Sequence, residues 1–220
     1  MWTHVIWDFN GTLLDDLQAS VESINVLLAA RNLPIFSSLE AYRQNFGFPV
    51  EKYYRAIGLD VDGEGFDALA HEWVGEYLAR SRTAGLRKGV LPVLEQLHQA
   101  GVCQLVLSAS EHALLSRQLG DLGIEAYFDA VLGIGDIYAG GKTALARAWR
   151  AAHPDARPIF VGDTLHDAEV AAAIGADCVL VTGGHHGRER LESAGVPVID
   201  SFAQLPLLLE GKIVAGNRAE

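Results

Sequence analysis

Two hydrophobic rhythms divide the chain. Val5-Ile6-Trp7 is a short unbroken apolar run ending on Asp8, the pattern of a buried strand. Leu17, Val21, Ile24 and Leu28 then recur at spacings of three and four, which predicts a helix over 13–31. Asp15 and Asp16 sit near its start, where the helix dipole favours acids, and Asn32-Leu33-Pro34 stops it. No strand pattern follows before residue 86. Ser37-Ser38 ahead of Glu40 reads as a helix start, Gly47 and Pro49 as a break, and 50–57 and 66–80 as helices joined by the acidic, turn-rich 58–65. From Leu86-Arg87-Lys88-Gly89 onward helix and strand alternate. Helices are predicted over 90–100, 111–119, 142–152, 165–174, 188–194 and 202–209, and strands over 102–107, 127–132, 158–161, 178–181 and 196–199. The tail from Gly211 reads as loosely ordered. Strands separated by crossover helices imply an α/β fold with a parallel sheet covered on both faces, interrupted after its first strand by a small all-helical insert.

Parallel strands deliver their carboxyl ends to one edge, where open α/β sheets bind ligands. Four predicted strands end there on polar groups: Asp8, Ser108, Asp163 and, less clearly, Thr182. Asp8, Asp163 and Asp167 would place three negative charges in one crevice, an arrangement that calls for a cation. Hard oxygen donors suit Mg²⁺. Each residue also has a plainer reading: Asp8, Asp163 and Asp167 as loop and helix caps, Ser108 as a cap, Lys142 as a solvated charge. Ser108 and the N–H groups after it, near a helix start, offer an anion site. Gly140-Gly141-Lys142-Thr143 lacks the spacing of a nucleotide-binding phosphate loop and does not directly follow a strand.

Composition narrows the partners. The chain has 220 residues, half of them hydrophobic, enough for one sizeable core and a satellite. A net charge of −11 argues against nucleic acid or an anionic membrane as the main partner. Cys103 and Cys178 lie in apolar runs and read as core residues. The N-terminus lacks the pattern of a signal peptide, and no run approaches the ~18 apolar residues of a spanning helix. The expectation is a cytoplasmic protein, monomer or homodimer.

The stretch D-F-N-G-T at Asp8 to Thr12 resembles the first motif of the haloacid dehalogenase-like superfamily, D-x-D-G-T. Ser108, Lys142 and G-D-T-L-H-D at Gly162 to Asp167 match the remaining motifs in order, so the resemblance spans essentially the whole chain. It implies a Rossmann-like three-layer core over 1–14 and 87–220 and a helical cap domain over 15–86. It further implies an Mg²⁺-dependent phosphatase acting on a small phosphorylated metabolite. Asp8 would attack phosphorus to form an aspartyl-phosphate, and Asp8, Asp163 and the backbone carbonyl of Asn10 would hold the metal. Gly11, Thr12, Ser108, Ala109 and Lys142 would bind the phosphoryl group, and Asp167 would orient Lys142 or a metal-bound water. Arg43, Phe46 and Gly47, in R-Q-N-F-G-F-P, resemble the cap loop of the phosphoglycolate-phosphatase-like members and are candidate substrate contacts; ordinary cap packing is the other reading of Arg43 and Phe46.

Asn10 is the departure. It stands where these phosphatases carry the acid that protonates the leaving group, and an amide cannot do this. General acid–base catalysis contributes ~10²–10⁴-fold, so the expectation is a slowed enzyme that favours good leaving groups such as acyl or aryl phosphates. His166, His185 and His186 are candidate substitutes, or simply exposed loop histidines. The alternative to an enzyme is a degenerate domain that binds a phosphorylated ligand or a protein partner.

Overall fold

The computed structural model describes residues 1–135 and 142–212. Gly140 and Gly141 of the G-G-K-T string, and residues 213–220 of the tail, lie outside the described residues. The elements run β1 (His4–Trp7), α1 (Leu17–Ala30), α2 (Leu39–Asn45), α3 (Val50–Ala56), α4 (Phe66–Arg80), α5 (Val90–Gln99), β2 (Cys103–Glu111), α6 (His112–Asp121), β3 (Ala130–Ile134), α7 (Thr143–Ala152), β4 (Pro158–Gly162), α8 (Leu165–Ala173), β5 (Asp177–Val181), α9 (Arg188–Glu192), β6 (Val198–Ile199) and α10 (Leu205–Leu209).

The six strands pair entirely in parallel, in the order β3-β2-β1-β4-β5-β6. The strand nearest the N-terminus is therefore central, with His4 beside Cys103 on one flank and Pro158 on the other. Its side chains alternate between two cores, as strand geometry requires. Val5 and Trp7 pack with Leu94, Val106 and Leu205. Ile6 packs on the opposite face with Phe160, Val170 and Leu180. Buried Gln104 on β2 is satisfied by accepting from Trp7 Nε1 at 3.1 Å and donating to the Leu94 carbonyl at 3.1 Å.

Helices α1 to α4 bury a third cluster of their own, including Ile24, Leu28, Tyr42, Tyr53 and Leu69. The chain enters and leaves this unit side by side. Leu14 bridges Leu86 antiparallel, Asp15 N donates to Gly85 O at 2.9 Å, and Arg87 N donates to Leu13 O at 2.9 Å.

Besides shorter ends at α9 and β6, a helical turn over Val61–Gly65 and a 3₁₀ turn ahead of α10, three differences from the sequence pattern have a local cause. α1 begins at Leu17 and not at 13, because the N–H groups of Leu13 and Leu14 both turn back to the Phe9 carbonyl. β3 begins at Ala130 because Glu125–Tyr127 closes a 3₁₀ turn first. β2 continues past Ser108 to Glu111, with a register irregularity against β3 between Leu107 and Glu111. Such irregularities redirect side chains at the end of a strand. Among the described residues no helix is long and apolar enough to cross a membrane.

Candidate active site

The carboxyl edge gathers what the strand ends predict. Asp8 follows β1, Asp163 follows β4, and Asp167 lies in the first turn of α8. Their carboxylate oxygens fall within 4.8 Å of one another, and all three residues are buried. Lys142, at the N-cap of α7 and 2% exposed, forms an ion pair with Asp8 and another with Asp167 Oδ1 at 2.6 Å. It is thus an internal charge, not a solvated one. Burial works against its charge, but Asp167 and Asp8 hold it above the ordinary lysine range. Asp167 is fixed in turn: its Oδ2 accepts from Asp163 N at 3.1 Å, Thr164 N at 2.9 Å and Thr164 Oγ1 at 2.8 Å. Burial opposes its ionisation, and Lys142 overcomes this to keep it below the usual carboxylate range. Asp167 is both helix cap and lysine partner.

Asp8 and Asp163 are different. Burial pushes both upward, and the neighbouring Asp167 adds to the push on each. Three buried carboxylates thus face one buried lysine, with the charge on Asp8 and Asp163 incompletely balanced. Taking charge out of water unpaired is costly, so this donor set fits a small hard cation. Among the described residues, Asp8, Asp163 and Asp167 are the carboxylates close enough together to hold such an ion.

The G-T turn departs from its expected role. Gly11 N donates to Asp16 Oδ1 at 2.7 Å, and the Thr12 hydroxyl donates to Asp163 Oδ1 at 2.7 Å. Those donors brace carboxylates and are not free for a phosphoryl group. Gly11 has φ of +73°, and a Cβ there would lie 2.4 Å from Asp163 Oδ2. The residue must be glycine for reasons of space and conformation alike. Ser108 and Ala109 do line the site cavity, but the helix behind them is already capped. Glu111 accepts from Ala113 N and Leu114 N at the start of α6, so a helix terminus directly behind Ser108 does not form the anion site. Ser108 Oγ accepts from Ser110 N at 3.0 Å. Thr182 turns away from the site to Asp200.

Asn10 belongs to a network. Its Nδ2 donates to Asp16 Oδ2 at 2.8 Å and to the Tyr77 hydroxyl at 2.8 Å, while its Oδ1 accepts from Ser110 Oγ at 2.7 Å. The Tyr77 hydroxyl also donates to Asp16 Oδ2 at 2.7 Å. Asp16 is 1% exposed, and His185 Nε2 lies 3.7 Å from its Oδ1. Burial alone would raise the Asp16 carboxyl, but His185, Asn10 and Tyr77 together hold it below the usual range. Burial opposes charge on His185, and Asp16 raises it above the ordinary histidine range.

The histidines are not exposed loop residues. His185 and His186 are buried, and His166 is half-buried. His185 is hydrogen-bonded to the Tyr42 hydroxyl through Nδ1 at 3.0 Å, and its backbone N–H donates to Asp163 at 2.6 Å. His186 accepts from Leu165 N at 3.0 Å and reaches the Phe46 carbonyl at 3.2 Å through its other nitrogen, a brace that suits a neutral ring. Burial, aided by Arg190, pushes its pKa down to about 3, which removes it as a proton donor at neutral pH.

Of the three helical-unit candidates, Phe46 lines the cavity. Arg43 does not: its Nε donates to Gly184 O at 2.9 Å and its Nη2 to Gly183 O at 3.1 Å. Gly47 is likewise absent from the cavity wall and lies against Arg190. Arg190 donates to the carbonyls of Phe46 and Arg43, so the two arginines tie the helical unit to the β5–α9 segment in both directions.

Sequence reasoning missed Asp16, Tyr77, Tyr42, Ser110 and Arg87. Arg87 donates to Gly11 O at 2.7 Å and to Thr182 O at 2.5 Å, clamping two strand-end loops together. A signal for Asp16 existed. Asp16, Ser20 and Ile24 share one face of α1 at a spacing of four, so an acid stands on the buried stripe.

The comparisons with known proteins agree with this geometry. A family profile described as haloacid dehalogenase-like hydrolase matches residues 5–181. The chain belongs to that family. It is 31% identical over 213 residues to a phosphoglycolate phosphatase of Caulobacter vibrioides, covering 92% of this chain and 88% of that one. It is 30% identical over 210 residues to the tyrosine-protein kinase PtkA of Mycobacterium tuberculosis, covering 94% of this chain and 71% of that protein. A solved structure of PtkA superposes with a TM-score of 0.78 at 29% identity, covering 94% of this chain and 97% of that chain. A haloacid dehalogenase-like hydrolase from Streptococcus pneumoniae shares the fold with a TM-score of 0.80 at 20% identity, covering 96% and 99% of the two chains.

Proposed function

We propose that the chain is an Mg²⁺-dependent phosphatase of small phosphorylated compounds, working through an aspartyl-phosphate on Asp8. The observation that carries this reading is the buried set of Asp8, Lys142, Asp163 and Asp167 at the edge of a parallel sheet, in a chain similar to a phosphoglycolate phosphatase. Residues 1–14 and 87–220 form the catalytic core and 15–86 the cap. Asp8 is the nucleophile. Lys142, held by Asp167, places its positive charge beside Asp8, where the transferring phosphoryl group gathers negative charge. Ser108 and the backbone at Ala109 border the same space. Asn10 positions; it does not transfer protons. Magnesium, when bound by Asp8, Asp163 and the Asn10 carbonyl, would polarise a phosphoryl oxygen and screen nucleophile from substrate. The cap limits access of bulk water to the acyl phosphate. Two buried free thiols accord with a reducing cytoplasmic setting.

The test is hydrolysis of acetyl phosphate and para-nitrophenyl phosphate with and without Mg²⁺ by wild type and Asp8→Asn. Metal-dependent turnover lost in Asp8→Asn is the expected result. Absence of wild-type turnover on both compounds would sink the reading.

The similarity to PtkA favours a second reading, phosphoryl transfer involving a protein tyrosine. Label from γ-labelled ATP appearing on tyrosine of this chain or of an added protein, and lost in Asp8→Asn, would establish it.

A further inference from the structure

The space next to Asp8 has an unusual lining for an enzyme that handles anions. A cavity of about 160 Å³ runs from Asp8, Ser108 and Lys142 into the helical unit. Beyond the catalytic edge its walls include Ile24, Phe46, Tyr53, Phe66, Trp73 and Tyr77. Trp73 and Tyr77 stack at 4.8 Å between ring centroids, and Phe46 meets Tyr53 edge-on at 5.3 Å. Among the described residues, no lysine or arginine other than Lys142 lines it. His185 is turned to Asp16, its Nε2 3.7 Å from the carboxylate. Glu111 on the wall would repel a second anionic group on the substrate, and Asp16 already takes up the neighbouring histidine. A carboxylate or a second phosphate therefore finds no partner here, whereas a flat apolar group does. An apolar cavity of about 150 Å³ is known to accept benzene, so this volume suits one aromatic ring.

Two further observations point the same way. The Tyr53 hydroxyl and His166 Nε2 both belong to cavity-lining residues, and both atoms are buried without a hydrogen-bond partner. Unpaired buried polar atoms are costly, and a ligand with a polar substituent on its ring would satisfy them. Asn10 adds a chemical constraint. It cannot protonate a leaving alkoxide, but a phenolate leaves without that help far more readily, because its conjugate acid has a pKa near that of tyrosine, about 10.

We propose that the substrate is a small aryl phosphate monoester, its ring seated among Phe46, Tyr53, Phe66, Trp73 and Tyr77; this rests on the phosphatase reading above. An Asp8 carboxylate oxygen bonds to phosphorus as the phosphorus–aryl oxygen bond breaks, and the phenolate departs with the bonding pair. Water then attacks phosphorus, the bond to Asp8 breaks, and the carboxylate is restored. Of the two protons of that water, one remains on inorganic phosphate and one passes to the phenolate. The sum is aryl phosphate plus water giving phenol plus phosphate.

The experiment has a binding arm and a turnover arm on the full-length protein with Mg²⁺. In calorimetry, phenylphosphonate binds at least about tenfold tighter than methylphosphonate or phosphonoacetate. Equal or weaker binding of phenylphosphonate overturns the assignment. In kinetics, phenyl phosphate exceeds phosphoglycolate in kcat/KM by at least about tenfold. Ala70→Phe, which fills the ring space, lowers the ratio of phenyl phosphate to acetyl phosphate turnover by about as much. Asp8-dependent hydrolysis of acetyl phosphate with no preference for phenyl phosphate would overturn the aryl assignment and leave the phosphatase reading standing. Tight phenylphosphonate binding with no turnover of any phosphate compound would overturn the phosphatase reading and leave an aryl-phosphate binding site. A phosphotyrosyl peptide turned over faster than phenyl phosphate would overturn the small-molecule source of the ring.

Discussion

Asn10 and Asp16 form an amide–carboxylate pair, with the amide at the motif position and the carboxylate six residues further on. The pair predicts the outcome of restoring that motif. In Asn10→Asp two carboxylates would meet where Nδ2 now donates to Asp16 at 2.8 Å. Like charges at that distance force one to stay protonated, which supplies an acid but strains the site. Activity on alkyl phosphates should rise by about 10²-fold in Asn10→Asp, with a lowered thermal midpoint. Asn10→Asp/Asp16→Asn should keep the gain and recover the midpoint, and a double-mutant cycle in stability should be clearly non-additive. Additive effects would show that the two side chains do not interact as described. Asp16→Ala should cost about 3 kcal/mol in denaturant melts, because Gly11 N, Asn10 Nδ2 and the Tyr77 hydroxyl lose an acceptor in a buried place. Asp8 and Asp163 were legible in the sequence because strand ends converge by topology, Asp167 because it follows Asp163 into a helix start, and Lys142 through the motif resemblance. Asp16 was harder to see. Beside Asp15 at a helix start it passes for a favourable dipole charge, and only the tertiary placement of α1 separates the buried acid from the exposed one.

At the scale of elements, α4 lies over Phe66–Arg80 and β4 starts at Pro158, as the hydrophobic pattern implies. Periodicity and glycine or proline stops fix such elements locally. What was not legible depends on partners: the extension of β2 to Glu111 exists because Glu111 pairs with Ile134, a contact no local pattern encodes. The same holds for Arg43. Its sequence neighbourhood suggested substrate contact, but its guanidinium is taken by the carbonyls of Gly183 and Gly184. Arg43 and Arg190 should therefore govern closure of the cap. Arg43→Ala and Arg190→Ala should each raise KM about three- to tenfold while changing stability by less than about 1 kcal/mol, since partly exposed polar ties contribute little to folding. Steady-state kinetics and thermal melts on the same preparations check this. A fall in kcat at unchanged KM would count against a role in closure.

For the whole molecule, two linkages follow from the buried charges. Mg²⁺ binding only the folded protein should add about 2.7 kcal/mol at a hundredfold excess over its Kd. The rise in thermal midpoint should disappear with a chelator and in Asp163→Asn. The second linkage concerns His186. An unfolded histidine takes up a proton near pH 6.5, whereas the folded protein resists it until about 3. Between those values the unfolded state binds more protons, so this residue's contribution to stability shrinks as pH falls, by at most about 1.4 kcal/mol per pH unit. The difference in unfolding free energy between wild type and His186→Asn, measured from pH 7 to pH 4, should narrow with acidification. A constant difference would mean that the ring takes up its proton in the folded protein at the same pH as in the unfolded chain. Groups common to both proteins, such as His185 and Asp163, cancel in this comparison.

The central place of β1 bears on how the protein is made. The strand that leads into Asp8 is synthesised well before its two neighbours, which begin about a hundred residues later at Cys103 and later still at Pro158. At synthesis rates of ~5–20 residues per second, β1 waits roughly 5–20 s for its first partner. During that interval the segment from α1 to α4 can already bury its own cluster around Ile24, Tyr42 and Leu69. In that interval Val5-Ile6-Trp7 is an unpaired apolar strand, since the residues that bury it on both faces come later in the chain.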